Sequence, residues 1–377
     1  MLASIYTIDD SVELTQRSQE WLTLADKVNG IPPFCRPEAW IPALHALLND
    51  LPAVGSRKLC QAVIVEVREG EELLAVYALY RKGNHLCSLT ENHIDYQDII
   101  TVDLAAAGLA LKTSVNYAAE SGLVFIIGHV SDQSILAQII EAQTPFSNAW
   151  LNRRFFSVCI VSDHEFASGT SDEFFKSIPK RLKKSYRSGT NRMKSQDPPF
   201  EVDYLWGADI QPADIEAIGQ LHRENQQSRT GSSPFDEPEF VQFLQQLANS
   251  LPSLFLSRYT CDGKLIAFCL GYASDNTFYF YITDYDRSYA YVSPGVNLLI
   301  KTAIYLVDHF QGKHFRIDFL LGSEAYKSHW ETGRYYVDRV VVIPKSIRTL
   351  PWAIGYHLGY RLKEIKNRIR KIGPGSS

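Results

Sequence analysis

The stretch IDFLLGSEAYKSHW, residues 317–330, joins two kinds of local structure. Its first residues alternate apolar side chains with Asp318, and together with the residues before them they predict a β-strand over 314–321. Gly322 then interrupts the strand, and the residues that follow it predict a short helical turn. The chain therefore places a carboxylate in the middle of a predicted strand, just before a strand-to-helix turn.

Four residues of this stretch are candidates for a functional site. A carboxylate at the centre of a sheet needs a partner or a chemical task, so Asp318 is a candidate catalytic group. Gly322 lets the backbone turn sharply or approach a ligand closely. Tyr326 can act as a general acid and Lys327 as a charge clamp. The alternative interpretation, which the spacing leaves open, is a hydrogen-bonded carboxylate, a turn glycine and two surface side chains.

A predicted helix precedes this strand and begins with SPGVNLLIKTAIYLV, residues 293–307. Ser293 is a candidate N-cap, Pro294 suits the first helical position, and Gly295 leaves the first backbone amides uncovered. Uncovered amides at a helix start attract phosphate through their unsatisfied N–H groups and the helix dipole. Taken alone, the stretch is also explained by a well-capped helix without a ligand.

The segment KRLKKSYRSGTNRMK, residues 180–194, is strongly basic. It contains seven cationic residues and no acidic one: Lys180, Arg181, Lys183, Lys184, Arg187, Arg192 and Lys194. Such an unbalanced run fits an anionic partner, which could be a phosphorylated cofactor, a nucleic acid or an acidic polymer. A charge run can equally be a solvated helix face.

The segment LHRENQQSRTGSSPF, residues 221–235, places three polar candidates on or just after a predicted helix: His222, Arg223 and Arg229. Polar side chains beside a Gly-Ser-Ser loop are typical of a substrate-binding loop. An ordinary polar helix end is the alternative.

The C-terminal segment 346–377 predicts a separate basic amphipathic helix. Aromatic and aliphatic residues from 352 onward lead into six cationic residues: Arg361, Lys363, Lys366, Arg368, Arg370 and Lys371. Through residues 352–371 this helix could contact an anionic membrane peripherally. The alternative is that it packs its apolar side on the preceding domain.

Composition limits the class of protein. The chain has 377 residues, 45% of them hydrophobic and 21% charged, which indicates a soluble globular protein of two domains. The net charge of -4 argues against a globally basic DNA-binding surface. The six cysteines form no CxxC pair or Cys/His cluster, so we expect reduced thiols, no metal site and a cytoplasmic location. The start resembles no secretory signal, and no apolar run reaches membrane-spanning length.

The predicted elements repeat along the chain. Each half reads as antiparallel strands, then helix, strand, helix and strand, and the polar segment 162–171 separates the halves. We therefore expect an α/β (α+β) fold built twice on a mixed, mostly antiparallel sheet flanked by helices. The expected domains are 1–165 and 166–345, followed by the C-terminal helix.

The order of these motifs resembles a known family. Ser-Pro-Gly, a Leu-rich helix, the strand FRIDF, a glycine and Tyr-Lys follow one another as in the CelD-like, or BioF2-type, acetyltransferase domain of the GNAT superfamily. PKRLKKSYRSGTNRMK resembles the basic helix that opens that domain, and LHRENQQSRTGSSPFDEPEFVQFL its middle helix. The resemblance covers about 170–345, and the first half resembles the divergent N-terminal half of the same proteins. It implies two tandem GNAT-like domains, related to the Fem-type peptidyltransferases.

The resemblance also implies roles for individual residues. It implies acyl transfer from acetyl-CoA or another acyl-CoA to an amine or hydroxyl, with Asp318 orienting or deprotonating the acceptor and Tyr326 protonating the leaving thiolate. Backbone amides at the helix start, at Ser293, Gly295 and Val296, would hold the pyrophosphate. Lys327 would hold an anionic group. Six positions would form the substrate-binding site: His222, Arg223, Arg229, Tyr281, Asp284 and Gly322. One departure is that the superfamily's phosphate loop, Arg/Gln-x-x-Gly-x-Gly/Ala, is not intact, because Gly295 is its single glycine.

Three functions remain open at this stage. The first is an acyl-CoA-dependent N- or O-acyltransferase acting on a sugar, polysaccharide precursor or small amine, in exopolysaccharide or cellulose biosynthesis. The second is a Fem-type transferase that takes an aminoacyl group from charged tRNA and contacts RNA phosphates through 180–194, which predicts steep salt dependence. The third is a non-catalytic accessory protein of a polysaccharide synthase.

Overall fold

The computed structural model describes residues 1–9, 11–49, 60–91, 94–142, 149–195, 199–227, 231–346 and 348–355. The strands are β1 (Leu2–Ile8), β2 (Cys60–Glu69), β3 (Glu72–Lys82), β4 (His85–Ser88), β5 (Ile100–Thr101), β6 (Val124–Ser131), β7 (Ala149–Glu165), β8 (Phe200–Trp206), β9 (Leu254–Cys261), β10 (Lys264–Ser274), β11 (Thr277–Tyr285), β12 (His314–Leu321) and β13 (Gly333–Pro344). The helices are α1 (Ser11–Asp26), α2 (Pro37–Asn49), α3 (Leu104–Ser121), α4 (Ile135–Ala142), α5 (Ser171–Ser177), α6 (Lys180–Lys194), α7 (Pro212–Gln227), α8 (Pro238–Ser250) and α9 (Pro294–Phe310).

All these strands join into one sheet, in the order β1-β2-β3-β4-β6-β13-β7-β12-β11-β10-β9-β8, with β5 paired to β3 beside this path. Most neighbours are antiparallel, and the parallel pairs are β4 with β6 and β11 with β12. Helices cover both faces. The expected mixed α/β fold with a mostly antiparallel sheet is therefore confirmed.

The two halves of the chain exchange their last strands. β13, from the second half, lies between β6 and β7, and β7, from the first half, lies between β13 and β12. Each half thus borrows from the other the strand that flanks its parallel pair. The two halves consequently form one continuous sheet. β7 ends at the predicted domain boundary along the chain, but its neighbours in the sheet are strands of the second half.

Alternation along the strands separates the two faces of the sheet. Helices α1, α2, α7 and α8 cover one face and share one hydrophobic cluster. On the opposite face, α3 and α4 cover the strands of the first half, and α5, α6 and α9 cover those of the second. On β12, Ile317 and Phe319 belong to the cluster under α9, so Asp318 faces the other side.

Local sequence explains several element boundaries. Asp262 and Gly263 have φ angles of 53° and 70° and turn β9 into β10, as the Asp-Gly pair predicts. Ile178 is extended before Pro179 and separates α5 from the basic helix α6. β1 was not predicted, since it is a partly exposed edge strand with weak alternation.

The second half contains a fork between its parallel strands. β11 and β12 pair only through Thr277–Arg316, Phe278–Ile317 and Tyr279–Asp318, and β11 then continues to Tyr285 without β12 beside it. Both strands are irregular just beyond the last pair: Tyr281 is the extra residue of a bulge against β10, and Leu320 has a φ of 51°. Bulges free backbone groups and re-aim side chains, so the fork is where a ligand can reach the backbone.

The cysteines, the helices and the C-terminal segment each bear on a prediction made from the sequence. No disulfide joins any of the six cysteines, all of which are buried. Within the described ranges, no helix has the length and apolar character needed to cross a membrane. Residues 350–355 are helical, while the rest of the predicted C-terminal helix, including its six cationic residues, lies outside the described residues.

Candidate active site

Asp318 lies on β12 with only 3% of its surface exposed. The hydroxyl of Tyr335 donates to its carboxylate, at 3.1 Å from Oδ1 and 2.9 Å from Oδ2. The N–H of Leu320 donates to Oδ1 at 2.9 Å, and the hydroxyl of Tyr96 lies 3.4 Å from Oδ2. Burial raises the pKa of Asp318 to about 6 against the opposing effect of these hydrogen bonds. The carboxylate can therefore exchange a proton near neutral pH.

A second carboxylate, Asp95, lies close to Asp318. Burial raises the pKa of Asp95 to about 7, the positive charge of Lys327 opposes this shift, and the negative charge of Asp318 adds to it. Because the two carboxylates interact, Asp95 and Asp318 titrate as a coupled pair. Titratable groups with such raised pKa values are typical of functional sites.

A cavity of about 320 Å³ opens beside Asp318, on the face of the sheet away from α9. Tyr279, Arg316 and Asp318 line it from the second half of the chain. The first half contributes the turn after α1, residues 96–100 and the start of α4. Arg316 donates to the carboxylate of Asp163 from Nε at 2.6 Å and Nη2 at 3.2 Å. The volume is at the lower end of the range for small-molecule sites.

Tyr326 lies on the opposite side of the fork from Asp318. Its ring is 6.4 Å from that of Phe280 and 6.3 Å from that of Phe319, the first residues beyond the last strand pair. About 40% of Tyr326 is exposed, yet its hydroxyl lies among enough protein atoms that desolvation raises its pKa above 10. Asp318 and Tyr326, the two predicted catalytic residues, therefore approach the fork from opposite faces of β12.

The start of α9 has an uncommon conformation. Ser293 occupies the predicted N-cap position with φ and ψ of 51° and 54°, but its side chain forms no capping hydrogen bond. Instead, Asn297 donates from Nδ2 to the carbonyls of Val292 at 3.0 Å and Ser293 at 3.1 Å. The N–H groups of Gly295 and Val296 belong to the first helical turn, where the helix offers no acceptor. An anion fits these donors.

The ring of Tyr285 lies beside this helix start. A Cβ atom on Gly295 would stand 3.5 Å from the Cδ1 atom of Tyr285, which is ordinary van der Waals contact. Gly295 therefore keeps the space between the end of β11 and the start of α9 open for a close approach to the backbone. Asp284, the neighbour of Tyr285, accepts from Nδ2 of Asn225 at 2.9 Å and thereby ties β11 to α7.

Lys327 does not serve as the predicted clamp for an anionic ligand. Its ammonium is buried and donates to the carbonyls of Phe319 at 2.9 Å and Leu321 at 2.7 Å. It also lies 2.8 Å from a carboxylate oxygen of Glu324. An ammonium has three donors, so these contacts use all of them, and Lys327 fixes the end of β12 and the turn that carries Tyr326.

Gly322 forms the turn after β12, as its sequence position predicts. Its φ of 106° is a conformation that favours glycine, and an added Cβ atom would stand 2.7 Å from the carboxylate of Glu324. Its N–H donates to the carbonyl of Val158 at 3.0 Å. Gly322 thus positions the turn.

The predicted substrate-binding residues of α7 instead support the loop that follows them. His222 Nδ1 is 2.8 Å from the hydroxyl of Ser233, and Arg223 donates to the carbonyl of Phe235 at 2.9 Å. Arg223 also pairs with Glu216 at 2.5 Å. Arg229 lies outside the described residues. Tyr281 packs against the Tyr272 ring at 5.6 Å, on the same face as the cavity.

The basic helix α6 packs against the start of α9. A Cβ atom on Gly189 would stand 2.2 Å from both Asn297 Nδ2 and the Val292 oxygen, so only glycine permits this contact. Thr190 donates to Asn297 Oδ1 at 2.9 Å, and Arg192 donates to the carbonyl of Tyr291. Leu182, Gly189 and Met193 form the buried side of α6. Its seven cations form no ion pair with any residue that the structure describes.

Sequence reasoning missed the residues that surround Asp318 in space. Tyr96 belongs to the first half of the chain, and no local pattern places it beside Asp318. Tyr335 lies on the exchanged strand β13, where local sequence gives no signal. Arg316 shares the face of Asp318 two residues along β12, which strand alternation could have indicated. Among the described residues, no three His, Cys, Asp or Glu side chains are grouped to hold a metal ion.

Comparison with known proteins supports a GNAT domain in the second half. Residues 180–328 match the family described as Acetyltransferase (GNAT) domain. The match begins at the first residue of α6 and ends just after Tyr326, so it contains α9 and the fork but covers less than half of the chain. No curated protein matches the chain significantly.

Solved structures with a similar fold span both halves. FemX superposes with a TM-score of 0.55 at 11% identity, over 85% of this chain and 95% of FemX. The C-terminal domain (DUF2156) of a protein assigned as a lysylphosphatidylglycerol synthetase from Agrobacterium fabrum has a TM-score of 0.53 at 9% identity, over 89% and 93%. A protein of unknown function from Bacteroides thetaiotaomicron has a TM-score of 0.51 at 14% identity, over 90% and 99%. At these identities the similarity shows the fold alone, and the family match is confined to residues 180–328.

Proposed function

We propose that this protein is an acyl-CoA-dependent N- or O-acyltransferase whose donor site lies in the second half of the chain. The observation that carries the proposal is the fork between β11 and β12, which opens next to the uncapped start of α9. The fork gives a thioester access to backbone and side chains, and the helix start offers donors to phosphate. The GNAT match over residues 180–328 supports the same reaction class.

The residues at the start of α9 fit the phosphates of the donor. Pro294 occupies the first helical position, and the next N–H groups, those of Gly295 and Val296, lie at the positive end of the helix dipole. The glycine-rich phosphate loop of the superfamily is reduced here to Gly295. Arg192 of α6 lies beside Tyr291, just before α9, and adds positive charge there. The contact between α6 and α9 thus compensates for the missing glycines.

Asp318 is the group that handles the acceptor's proton. When the acceptor nitrogen or oxygen attacks the thioester carbon, a new C–N or C–O bond forms, the C–S bond breaks and the acceptor loses a proton. Asp318 accepts that proton, because its pKa of about 6 is close to the working pH. Tyr335 and Tyr96 hold the carboxylate in place. They position the base and keep it in one orientation.

Tyr326 stabilises the leaving sulfur by hydrogen bonding. Burial holds the pKa of Tyr326 above the usual 10, whereas a thiol has a pKa of about 8.5. A phenol with the higher pKa keeps its proton beside a thiolate, so full proton transfer, as the resemblance implied, is disfavoured. The phenol instead donates a hydrogen bond to the developing negative charge.

Thermal unfolding of the full chain tests the donor. Acetyl-CoA, longer acyl-CoAs and free CoA are each compared with buffer. A ligand at 100 times its dissociation constant adds about 2.7 kcal/mol to the free energy of unfolding, so a clear rise in Tm is expected with CoA species. An unchanged Tm with every CoA species would argue against the proposal.

A second candidate is a transferase that takes its acyl group from charged tRNA, as Fem-type enzymes do. The observation that favours it is the basic face of α6, which forms no ion pair with the described residues and is about 22 Å long for its 15 residues. Such a face suits a phosphodiester backbone. This candidate predicts RNA binding whose affinity falls steeply with salt, and loss of binding when Lys180, Arg181 and Lys184 are replaced by Gln.

The subfamily, the biosynthetic pathway and the membrane contact of this protein are further parts of the proposal. The order of motifs supports the CelD-like, or BioF2-type, branch and a role in exopolysaccharide or cellulose biosynthesis. Peripheral membrane contact through 352–371 falls almost wholly outside the described residues. Truncation before residue 352 tests this contact, because it should release the protein from anionic vesicles if the contact exists.

A further inference from the structure

The first half of the chain repeats the architecture of the donor site. β4 and β6 pair in parallel through three residue pairs, as β11 and β12 do. β6 carries a left-handed residue, His129 with φ 48°, at a bulge against β13, and Leu320 occupies the same place on β12. In chain order α3 comes after β4 and the two-residue strand β5, and α9 comes after β11. A second donor site would therefore be expected at the start of α3.

A carboxylate blocks that second helix start. Asp103 caps α3, and its Oδ1 and Oδ2 accept the N–H groups of Ala105 and Ala106, each at 3.1 Å. These are the donors that a phosphate would need, and the negative charge of Asp103 repels a phosphate. At the start of α9 the equivalent residue is Ser293, whose side chain makes no such cap.

The fork of the first half is also closed. β4 ends at Ser88, whose hydroxyl accepts the N–H of Gly128 at 2.9 Å and so bridges to β6. The side chain of Gln97 fills the adjoining space: its Nε2 donates to the carbonyl of Ala78 at 2.6 Å, and its Oε1 accepts the N–H of Leu89 at 2.8 Å. Among the described residues, these contacts close the fork between β4 and β6.

The segment that closes this fork also builds the cavity beside Asp318. Tyr96 precedes Gln97 and places its hydroxyl at Asp318 and Tyr335. Asp98 follows and accepts the N–H groups of Ile135 at 2.7 Å and Leu136 at 2.9 Å, which fixes the start of α4 at the cavity wall. Residues 96–98 therefore close the fork of the first half and also line the cavity beside Asp318 in the second half.

We propose that the first half binds no thioester donor and instead forms the acceptor-binding wall of the single active site. This inference rests on the proposed function. The acceptor enters the cavity of about 320 Å³ between the turn after α1, the start of α4 and β12, and reaches Asp318 from the face opposite the donor. The two substrates thus approach the fork from opposite sides of the sheet.

The cavity selects the chemical class of the acceptor. Its lining combines polar side chains, among them Asn29, Gln133 and Asp318, with apolar ones such as Ile31 and Ile99. Such polar groups hydrogen-bond to hydroxyls and amines. Tyrosine rings such as that of Tyr279 add flat apolar surface. The volume suits one small, polar, polyhydroxylated or amino-bearing molecule of monosaccharide size, and excludes a polymer held along its length.

Bulky substitutions at the cavity rim test the acceptor wall. Asn29 and Gln133 are exposed turn residues of the first half. Thiol release from acetyl-CoA is measured with a panel of monosaccharides, amino sugars and small polyols and amines. With any panel member that is accepted, Asn29→Trp and Gln133→Trp should reduce turnover at least 10-fold and leave CoA affinity unchanged. Glu71→Trp, in the exposed turn between β2 and β3, is the matched control and should behave as wild type.

Calorimetric titration of the full chain with CoA tests the donor half of the inference. We expect one CoA per chain, with stoichiometry unaffected by Asn29→Trp. The inference would be overturned by two CoA sites per chain, or by rim variants that turn over the acceptor as fast as wild type. It would also be overturned if the protein binds CoA and accepts a polymer but no member of the panel. A protein that binds CoA and uses no acceptor at all from the panel would also overturn the assigned class. No CoA binding would instead contradict the proposed function itself.

Discussion

Tyr279 and Asp318 are the last paired residues of β11 and β12, and the two strands separate immediately beyond them. Their side chains share the face that bears the cavity, while Phe280 and Phe319, the next residues, face α9. The fork therefore has two chemically different sides. The buried carboxylate of Asp318 lies on one side, and an aromatic cluster that includes Tyr326 lies on the other.

Replacement of Asp318 by Asn should abolish most of the acyl transfer. Asn keeps the size of the side chain but cannot accept the acceptor's proton, and proton transfer by a positioned group contributes about 10² to 10⁴ in rate. We expect turnover to fall at least 100-fold with CoA affinity unchanged. The control is Asp203→Asn on edge strand β8, far along the sheet from the fork. Near-normal turnover in the Asp318 variant would exclude Asp318 as the base.

If the protein is the proposed acyltransferase, the pH dependence of its wild-type turnover should report the pKa values of the two buried carboxylates. Turnover should rise with pH around an apparent pKa of about 6, since the base must be ionised, and Asp95 contributes to the same titration. A profile that stays flat between pH 5 and 8 would contradict this assignment.

The free energy of unfolding should fall as the pH rises, whereas turnover should rise. The pKa of Asp318 is raised above the value of about 3.9 in an unfolded chain, so the folded state binds the proton more tightly. The resulting stabilisation is fully present below about pH 4 and is lost as the pH rises through about 6, a change of about 3 kcal/mol. Denaturant unfolding should show this loss in wild type and a smaller one in Asp318→Asn. Equal slopes in both proteins would show that Asp318 is not the titrating group.

Replacement of Tyr326 by Phe should slow the chemical step without weakening donor binding. The variant retains the ring that contacts Phe280 and Phe319 but loses the hydrogen bond to the leaving sulfur, so kcat should fall about 10- to 100-fold at an unchanged KM for acyl-CoA. Tyr336→Phe, at another exposed tyrosine, is the matched control. If both variants turn over equally fast, the hydroxyl of Tyr326 has no role at the sulfur.

Replacement of Lys327 by Met should destabilise the fold. Met keeps the apolar stem but leaves the carbonyls of Phe319 and Leu321 without their buried donor, which should lower the free energy of unfolding by about 3 kcal/mol. Chemical denaturation measures the change, and Lys313→Met, at an exposed loop position, is the control. A variant as stable as wild type that loses CoA affinity would restore Lys327 as a ligand clamp.

Local sequence was sufficient for the elements of the fold and for single residues whose task is local. The strand around Asp318, the turn at Gly322 and the helix after Ser293 were all predictable from alternation and turn residues. The strand exchange was not, because the partners of β7 and β13 are set by contacts across the whole chain. For the same reason local sequence does not indicate that Tyr96 and Tyr335 contact Asp318, or that two backbone carbonyls bind the ammonium of Lys327.

The measurement that most directly tests the donor site compares Ser293→Asp with Ser293→Asn by calorimetric titration with CoA. The two side chains have nearly the same shape, and only Asp places a negative charge at the start of α9, as Asp103 does at the start of α3. We predict that Ser293→Asn binds CoA as wild type does, while Ser293→Asp binds at least 10-fold more weakly. Equal affinity in both variants, or a wild-type protein that does not bind CoA, would contradict a donor site at this helix.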